Sequence, residues 1–340
     1  MSPPRAGRPT IIDVAKAAGV SKSLVSLVMR GAPNVSPSSR AAVLQAAERL
    51  GYRPNAVARS LVQGRSYVIG VMVSDLANPF FIDVIAGATD AAYAADHRAL
   101  INTGGRDEVK EADAIDTLLR LQVDGIVVAG AIVDPAVLER VGADTPTVIT
   151  NRASRSKVID SIVIDDRGGN ALAVDHLVEL GHRRIAHISG GRGAGARNRL
   201  TGYRQAMSRH GLESYGTVVP GSYTERGGAD GIAALLAIDH RPTAIIAPND
   251  VAAVGALEAL TAEGLDVPGD ISLVGFDDTY LAGLGHIDLT SVRQDAALMG
   301  ARAVEMLIER ADGRRSRTRH LMLEPSLTIR SSTAPPPRTS

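Results

Sequence analysis

Residues 10–30 read TIIDVAKAAGVSKSLVSLVMR, two short amphipathic runs parted by a glycine. In the first run Ile11, Val14, Ala15 and Ala18 fall on one helical face, and Thr10 with Asp13 resembles a capping box. Gly19 ends that helix, and Ser21 can cap the next. The second helix turns Leu24, Val25 and Val28 inward and leaves Lys22, Ser23, Ser26, Leu27 and Arg30 on its other side. So narrow an apolar stripe suits a helix that rests on one neighbour and offers its free face to something else. The major groove of DNA admits such a helix.

Charge supports that reading once it is counted by region. The whole chain is neutral, with 37 basic and 37 acidic residues. Residues 1–65, however, hold ten Lys and Arg against only Asp13 and Glu48, a net of +8 that leaves the remainder at −8. A cationic front end is built to meet phosphate. Beyond Arg30, the loop with Asn34 leads to Ser36 and Pro37, a cap and a favoured first helical residue, and a third helix runs to Leu50 before Gly51. Pro54 could open a further short helix over Asn55 to Val62, too short to persist alone in water.

From Ser66 the pattern changes to apolar strand-like runs alternating with helical ones: SYVIGVMVS, RALIN, DGIVVAG, TPTVIT, DSIVID, RRIAHIS, GTVVP, PTAIIA and ISLVGF. This is a parallel, doubly wound pattern, and so many strands exceed one sheet. Two α/β lobes of similar size with a cleft between them follow, with ligand groups expected just past the strands' carboxyl ends. At 340 residues, 45% hydrophobic and 22% charged, the balance is that of a soluble multidomain chain. Cysteine is absent, which excludes disulfides and thiolate metal sites. The N-terminus MSPPRAGRPT has no apolar export core, and no run approaches the ~20 residues that span a bilayer. The expected location is therefore the cytoplasm, in association with the nucleoid. There is no periodic repeat.

Taken together, TIIDVAKAAGVSKSLVS, NVSPSSRAAVLQAAERLGYRPNAVARSL, NPFF, VIDD, HLVELGHRRIAHISGG, RLTGYRQAM, PTAIIAPNDVAAVGALEAL, ISLVGFDD and LTSVRQD resemble the lactose-repressor (LacI) family of transcriptional regulators from Thr10 to Thr333. The resemblance implies an N-terminal all-α helix-turn-helix headpiece over residues 1–53, a hinge helix and linker over 54–66, and an α/β two-lobed periplasmic-binding-protein-like core over 67–330. Residues 331–340, SSTAPPPRTS, read as a disordered tail. It further implies a homodimer on a pseudo-palindromic operator. With no leucine heptad in that proline-rich tail, a plain dimer is favoured.

Carried over residue by residue, the resemblance makes Lys22, Ser23 and Leu27 base readers, within a DNA-contact set that includes Thr10, Ser21, Ser26, Arg30 and Asn34. It assigns Asn55, Ala58 and Leu61 to the hinge helix, with Leu61 as a wedge between minor-groove base steps. One departure matters. Where the family usually carries TVSRV this chain has Leu24 to Val28, so the commonly basic reading position is Leu27. Leucine offers only apolar contact, for example to a thymine methyl, and the operator is expected to differ at that base pair.

For the cleft the resemblance points to Asn78, Phe80 and Phe81 in NPFF, Asp165 in VIDD, Arg199 in RLTGY, Asn249 in PND, and Phe276 and Asp277 in GFDD. Tyr223 is expected as an aromatic lid. Carboxylates, an amide and a guanidinium around aromatic faces suit a sugar effector. Two other classes compete: a sugar-binding module without DNA function, and an enzyme. Gly191, Gly193 and Ala196 satisfy G-x-G-x-x-A after a strand, as a dinucleotide site would, but the next strand ends in Pro220 and Gly221 with no acid for the ribose. No phosphate loop or nucleophile elbow occurs, and His176, His182 and His187 lack metal-binding spacing. No catalytic residue, metal or cofactor is expected.

Overall fold

The computed structural model describes residues 9–29, 31–52 and 65–337. The chain divides into two compact units, Met1–Ser66 and Tyr67–Ser340.

In the first unit, helices α1 (Ile11–Ala18), α2 (Lys22–Met29) and α3 (Pro37–Leu50) surround a core of Val14, Ala15, Val25, Val28, Val43, Ala46 and Ala47. Their ends are set by the residues that the sequence marks. Thr10 Oγ1 accepts from Asp13 N–H while Thr10 N–H donates to Asp13 Oδ2, the reciprocal cap. Ser21 Oγ accepts from Leu24 N–H, and Ser36 Oγ from Ser39 N–H. Gly19 and Gly51 close α1 and α3 at φ 67° and 62°, a left-handed turn that glycine adopts without a Cβ clash. The Arg40 guanidinium donates to Ala32 O, tying α3 to the loop before it.

The second unit holds two six-stranded sheets. The first takes β1 (Val68–Val73), β2 (Arg98–Thr103), β3 (Gly125–Ala129), β4 (Thr147–Thr150) and β5 (Asp160–Ile164), with α4 (Pro79–Ala94), α5 (Glu108–Arg120) and α6 (Pro135–Asp144) between them. The chain then crosses through α7 (Asp166–Glu179) to the second sheet: β6 (Ile185–Ile188), β7 (Thr217–Val219), β8 (Ala244–Ile246), β9 (Ser272–Asp277) and β10 (Thr290–Arg293). Helices α8 (Ala196–Arg209), α9 (Glu225–Leu236) and α10 (Asp250–Ala262) connect these strands. All nine strand-like runs of the sequence are strands; β1, β3, β4, β6, β8 and β9 are almost wholly buried, as parallel sheets covered on both faces require, while the edge strands β2 and β7 are partly exposed.

The chain then returns. Helix α11 (Ala296–Ala311) packs beside α4 on the first sheet, and β11 (His320–Leu323) joins that sheet parallel to β5. A last crossing brings β12 (Ser326–Thr328) to the second sheet, antiparallel to β10. Two short strands of mixed polarity carry too little periodicity to be read from sequence. The return is pinned by a buried pair: the Arg315 guanidinium forks onto both oxygens of Asp160 at 2.9 and 2.6 Å.

One expectation is corrected. The tail from Ser331 is ordered as far as it is described, to Pro337, and docks on the second sheet. Ser332 O accepts from Leu273 N–H, and Ser332 Oγ donates to Leu273 O and accepts from Thr290 N–H. Ala334 O faces His182 Nε2 at 2.8 Å and accepts from Ser272 Oγ. Its Ser/Thr-rich composition resembles a disordered segment, yet those hydroxyls and the backbone satisfy the ends of β9 and β10.

Candidate functional site

On the first unit, α2 offers the outer face that its sequence pattern implies. Val25 and Val28 are buried, Lys22 and Ser23 exposed and Ser26 half-buried. Leu27 is 38% exposed, so it does not pack into the headpiece core. Thr10, Ser21 and Asn34 are exposed as well. Arg30, Asn55, Ala58 and Leu61 lie outside the described residues.

In the core, a pocket of about 60 Å³ lies between the two sheets. From the first lobe Asn78, Phe80 and Phe81 line it, with Ser74, Asp75, Arg106 and Asn151. From the second come Arg199, Tyr223, Asn249, Asp277 and Gln294. The polar groups gather because strands of both sheets end here.

Arg199 is the hub. It projects from α8, is buried, and donates through Nε to Asp166 Oδ1 at 2.9 Å and through Nη1 to Pro248 O at 2.6 Å. Its Nη2 stands 3.6 Å from Asp277 Oδ1. The guanidinium lies 3.6 Å above the Phe276 ring and 5.3 Å from the Tyr223 ring. Burial opposes its charge, but Tyr223, Asp166 and Asp277 more than offset this and hold it protonated.

The acids respond the other way. Asp277 Oδ1 accepts from Gln294 Nε2, and Asn78 lines the same pocket from the other lobe. The Asp277 backbone sits at φ 109°, a region that costs a non-glycine residue on the order of 1–3 kcal/mol. Behind it Asp250 is fully buried, accepting from Thr279 N–H, Thr279 Oγ1 and Ser291 Oγ. Burial pushes both carboxyls up, Asp250 also through repulsion from Asp277, while Arg199 draws Asp277 back down. Burial likewise raises Asp166 against the pull of Arg199.

Four of the expected residues play parts that the sequence does not separate. Asp165 is not in the pocket: its Oδ1 accepts from Gly168 N–H and caps α7, while the neighbouring Asp166 reaches Arg199. Phe276 is wholly buried as the floor beneath the guanidinium. Asn249 caps α10 by accepting from Ala252 N–H, which leaves its buried Nδ2 without a partner. Asn78 caps α4 in the same way, through Phe80 N–H. Sequence reasoning missed Gln294, whose buried Oε1 is also unpartnered, and Ser74, Asp75, Arg106 and Asn151. Gln294 sits in LTSVRQD just after β10, where its place past a strand end was the available signal.

The glycine loop has a specific use. Tyr223 donates to Ala194 O, and its ring lies over Gly190 and Gly193. A methyl at Gly190 would fall 2.7 Å from that ring, and one at Gly193 would overlap it. Gly193 of the G-x-G-x-x-A pattern, with Gly190 before it, thus seats an aromatic side chain and does not read as part of a pyrophosphate cradle. Of the histidines, His187 is buried against Tyr203, and burial with Arg199 nearby lowers it to about 3. His176 and His182 face the docked tail. Among the described residues no His, Asp and Glu group could hold a metal, and no helix is long and apolar enough to cross a membrane.

A helix-turn-helix unit joined to a two-lobed core with a polar, aromatic-lined cleft defines a DNA-binding transcriptional regulator with a ligand-binding core. Comparison with known proteins agrees. Residues 10–55 match the model of bacterial regulatory proteins of the lacI family, and residues 174–333 match a periplasmic binding protein-like domain. The transcriptional regulator GalR of Escherichia coli K12 is 36% identical over 330 residues, 96% of each chain. The Lac repressor dimer bound to operator and the anti-inducer ONPF superposes with a TM-score of 0.86 at 31% identity, covering 96% of this chain and all of that one. The complex of the regulator CelR with cellobiose gives 0.72 at 32% identity, with the same coverage. The chain belongs to the lacI family. A binding module without DNA function is thereby set aside.

Proposed function

We propose that the chain is a cytoplasmic, nucleoid-associated repressor that holds a pseudo-palindromic operator as a homodimer and changes its affinity when a sugar or similar polyol occupies the cleft. Lys22, Ser23 and Leu27 read base edges, while Thr10, Ser21, Ser26, Arg30 and Asn34 support them at the backbone and groove edge. Asn55, Ala58 and Leu61 belong to the hinge segment, with Leu61 as the minor-groove wedge. Asn78, Phe80, Phe81, Arg199, Tyr223, Asn249 and Asp277 hold the effector, with Gln294 added; Phe276 acts through Arg199, and Asp165 through the start of α7.

The carrying observation is the paired want in one pocket: Asn249 Nδ2 is a donor without an acceptor and Gln294 Oε1 an acceptor without a donor, both buried beside Arg199 and Asp277. A hydroxyl satisfies either, and an unmet buried group costs about 1–3 kcal/mol. Vicinal hydroxyls answer the whole set, and the CelR–cellobiose complex is a relative's example.

The pocket is below the roughly 300–1,000 Å³ usual for ligand sites, so a ring enters when the lobes part. Arg106 Nη1 to Tyr223 O at 3.5 Å is a polar contact across the cleft that an effector would replace. Lobe rotation then couples the cleft to the hinge and headpieces, a difference in effector affinity between two arrangements.

A thermal-shift panel of pentoses, hexoses, disaccharides and nucleosides tests this. A stabilising polyol whose shift disappears in Asp277→Asn supports the reading; a panel in which no polyol stabilises the protein overturns it.

A further inference from the structure

The pocket opens into a second, larger chamber of about 600 Å³ between the lobes, sharing Arg106, Asn151 and Tyr223 with it. The two differ in charge. The inner wall carries Asp75 and Asp277 against Arg106 and Arg199. The outer wall carries Arg106, Arg152 and Arg192 against Glu108 alone.

Resting on the reading of the cleft as an effector site, we propose that the outer chamber is an anion subsite, and that the effector is a polyol bearing a phosphate or comparable anionic group. Each arginine keeps donors to spare. Arg152 spends one on Val133 O at 2.7 Å. Arg192 is 95% exposed and stands 3.5 Å from Glu108 across the cleft, a separation that a phosphate oxygen can undercut. Arg106 meets Asp75 at 3.3 Å and stands where the chambers join. Asn198 and Ser222 add neutral donors on the same wall.

A hydroxylated head in the inner pocket and an anionic tail in the outer one would match both walls.

Inorganic phosphate probes the subsite without knowledge of the head group. Melting of the full-length protein is followed in phosphate and in chloride at equal ionic strength, for the wild type, Arg152→Gln and Arg192→Gln. Arg192→Gln disturbs no buried contact and guards against a folding defect in the other variant. The cationic headpiece also meets phosphate, so the variants isolate the chamber's share.

Phosphate is expected to raise the wild-type midpoint, and apparent phosphate affinity should fall roughly tenfold in each variant. A shift that is absent, or unchanged in both variants, overturns the proposal. Glucose and glucose 6-phosphate separate this from the broader reading. If neutral polyols stabilise the protein as strongly as their phosphates, the anion subsite fails and the polyol site stands. If phosphate binding is arginine-dependent while no polyol stabilises, the subsite stands and the polyol reading fails.

Discussion

At Asp277 the backbone holds a strained φ of 109° while the carboxylate is buried among Arg199, Asp166 and Asp250. One guanidinium faces two acids, Asp166 and Asp277, with Asp250 buried behind them, so the site binds protons more readily than the unfolded chain. The raised acids contribute stability that is complete below the ordinary carboxylate value of 3.8 and lost as pH rises toward about 7. The unliganded core should therefore melt at lower temperature at pH 7.5 than at pH 5, and Asp277→Asn should flatten that slope. A steeper slope in the variant would contradict the assignment. Arg199→Ala removes the cation and leaves Asp166 and Asp277 buried uncompensated, an expected loss of about 3–5 kcal/mol by urea denaturation. On the DNA side, the exposure of Leu27 fits an apolar base contact. Selection from random duplexes should return a base other than guanine opposite it, and Leu27→Ala should relax that preference by about 1–3 kcal/mol.

Elements were legible in proportion to the strength of their local signals. Thr10, Ser21, Ser36, Gly19 and Gly51 fixed the headpiece helices because each end is decided by a cap within a few residues. The inner strands, such as β1, β3 and β9, showed as apolar runs because both faces of each sheet are covered there. What escaped depends on distant partners. Strand β11 is defined by β5, some 160 residues away, and the tail by hydroxyl contacts to β9 and β10. Asp165 and Asp166 are adjacent acids, and only the turn into α7 decides which one caps the helix and which one reaches Arg199. Removing residues 331–340 should cost roughly 2–4 kcal/mol, since Leu273 N–H loses Ser332 O and Thr290 N–H loses Ser332 Oγ. An unchanged urea midpoint would show that the docked tail adds nothing.

For the whole molecule, the division of charge foreseen from sequence, +8 in residues 1–65 and −8 beyond, separates a groove-binding front from a cleft that carries its own buried acids. The net-negative core adds no long-range attraction for the duplex backbone, so the salt dependence of operator binding should belong to the front alone. Coupling between cleft and DNA is the claim on which the rest turns, and it is a free energy measurable at both sites. The direct measurement is fluorescence anisotropy of a selected operator duplex titrated with full-length protein, with and without the compound that most raises the core's melting temperature. The account predicts an operator affinity that changes at least about fivefold with that compound. It also predicts that Asp277→Asn binds the operator but loses the response. An operator affinity identical with and without a compound that demonstrably occupies the cleft would contradict it.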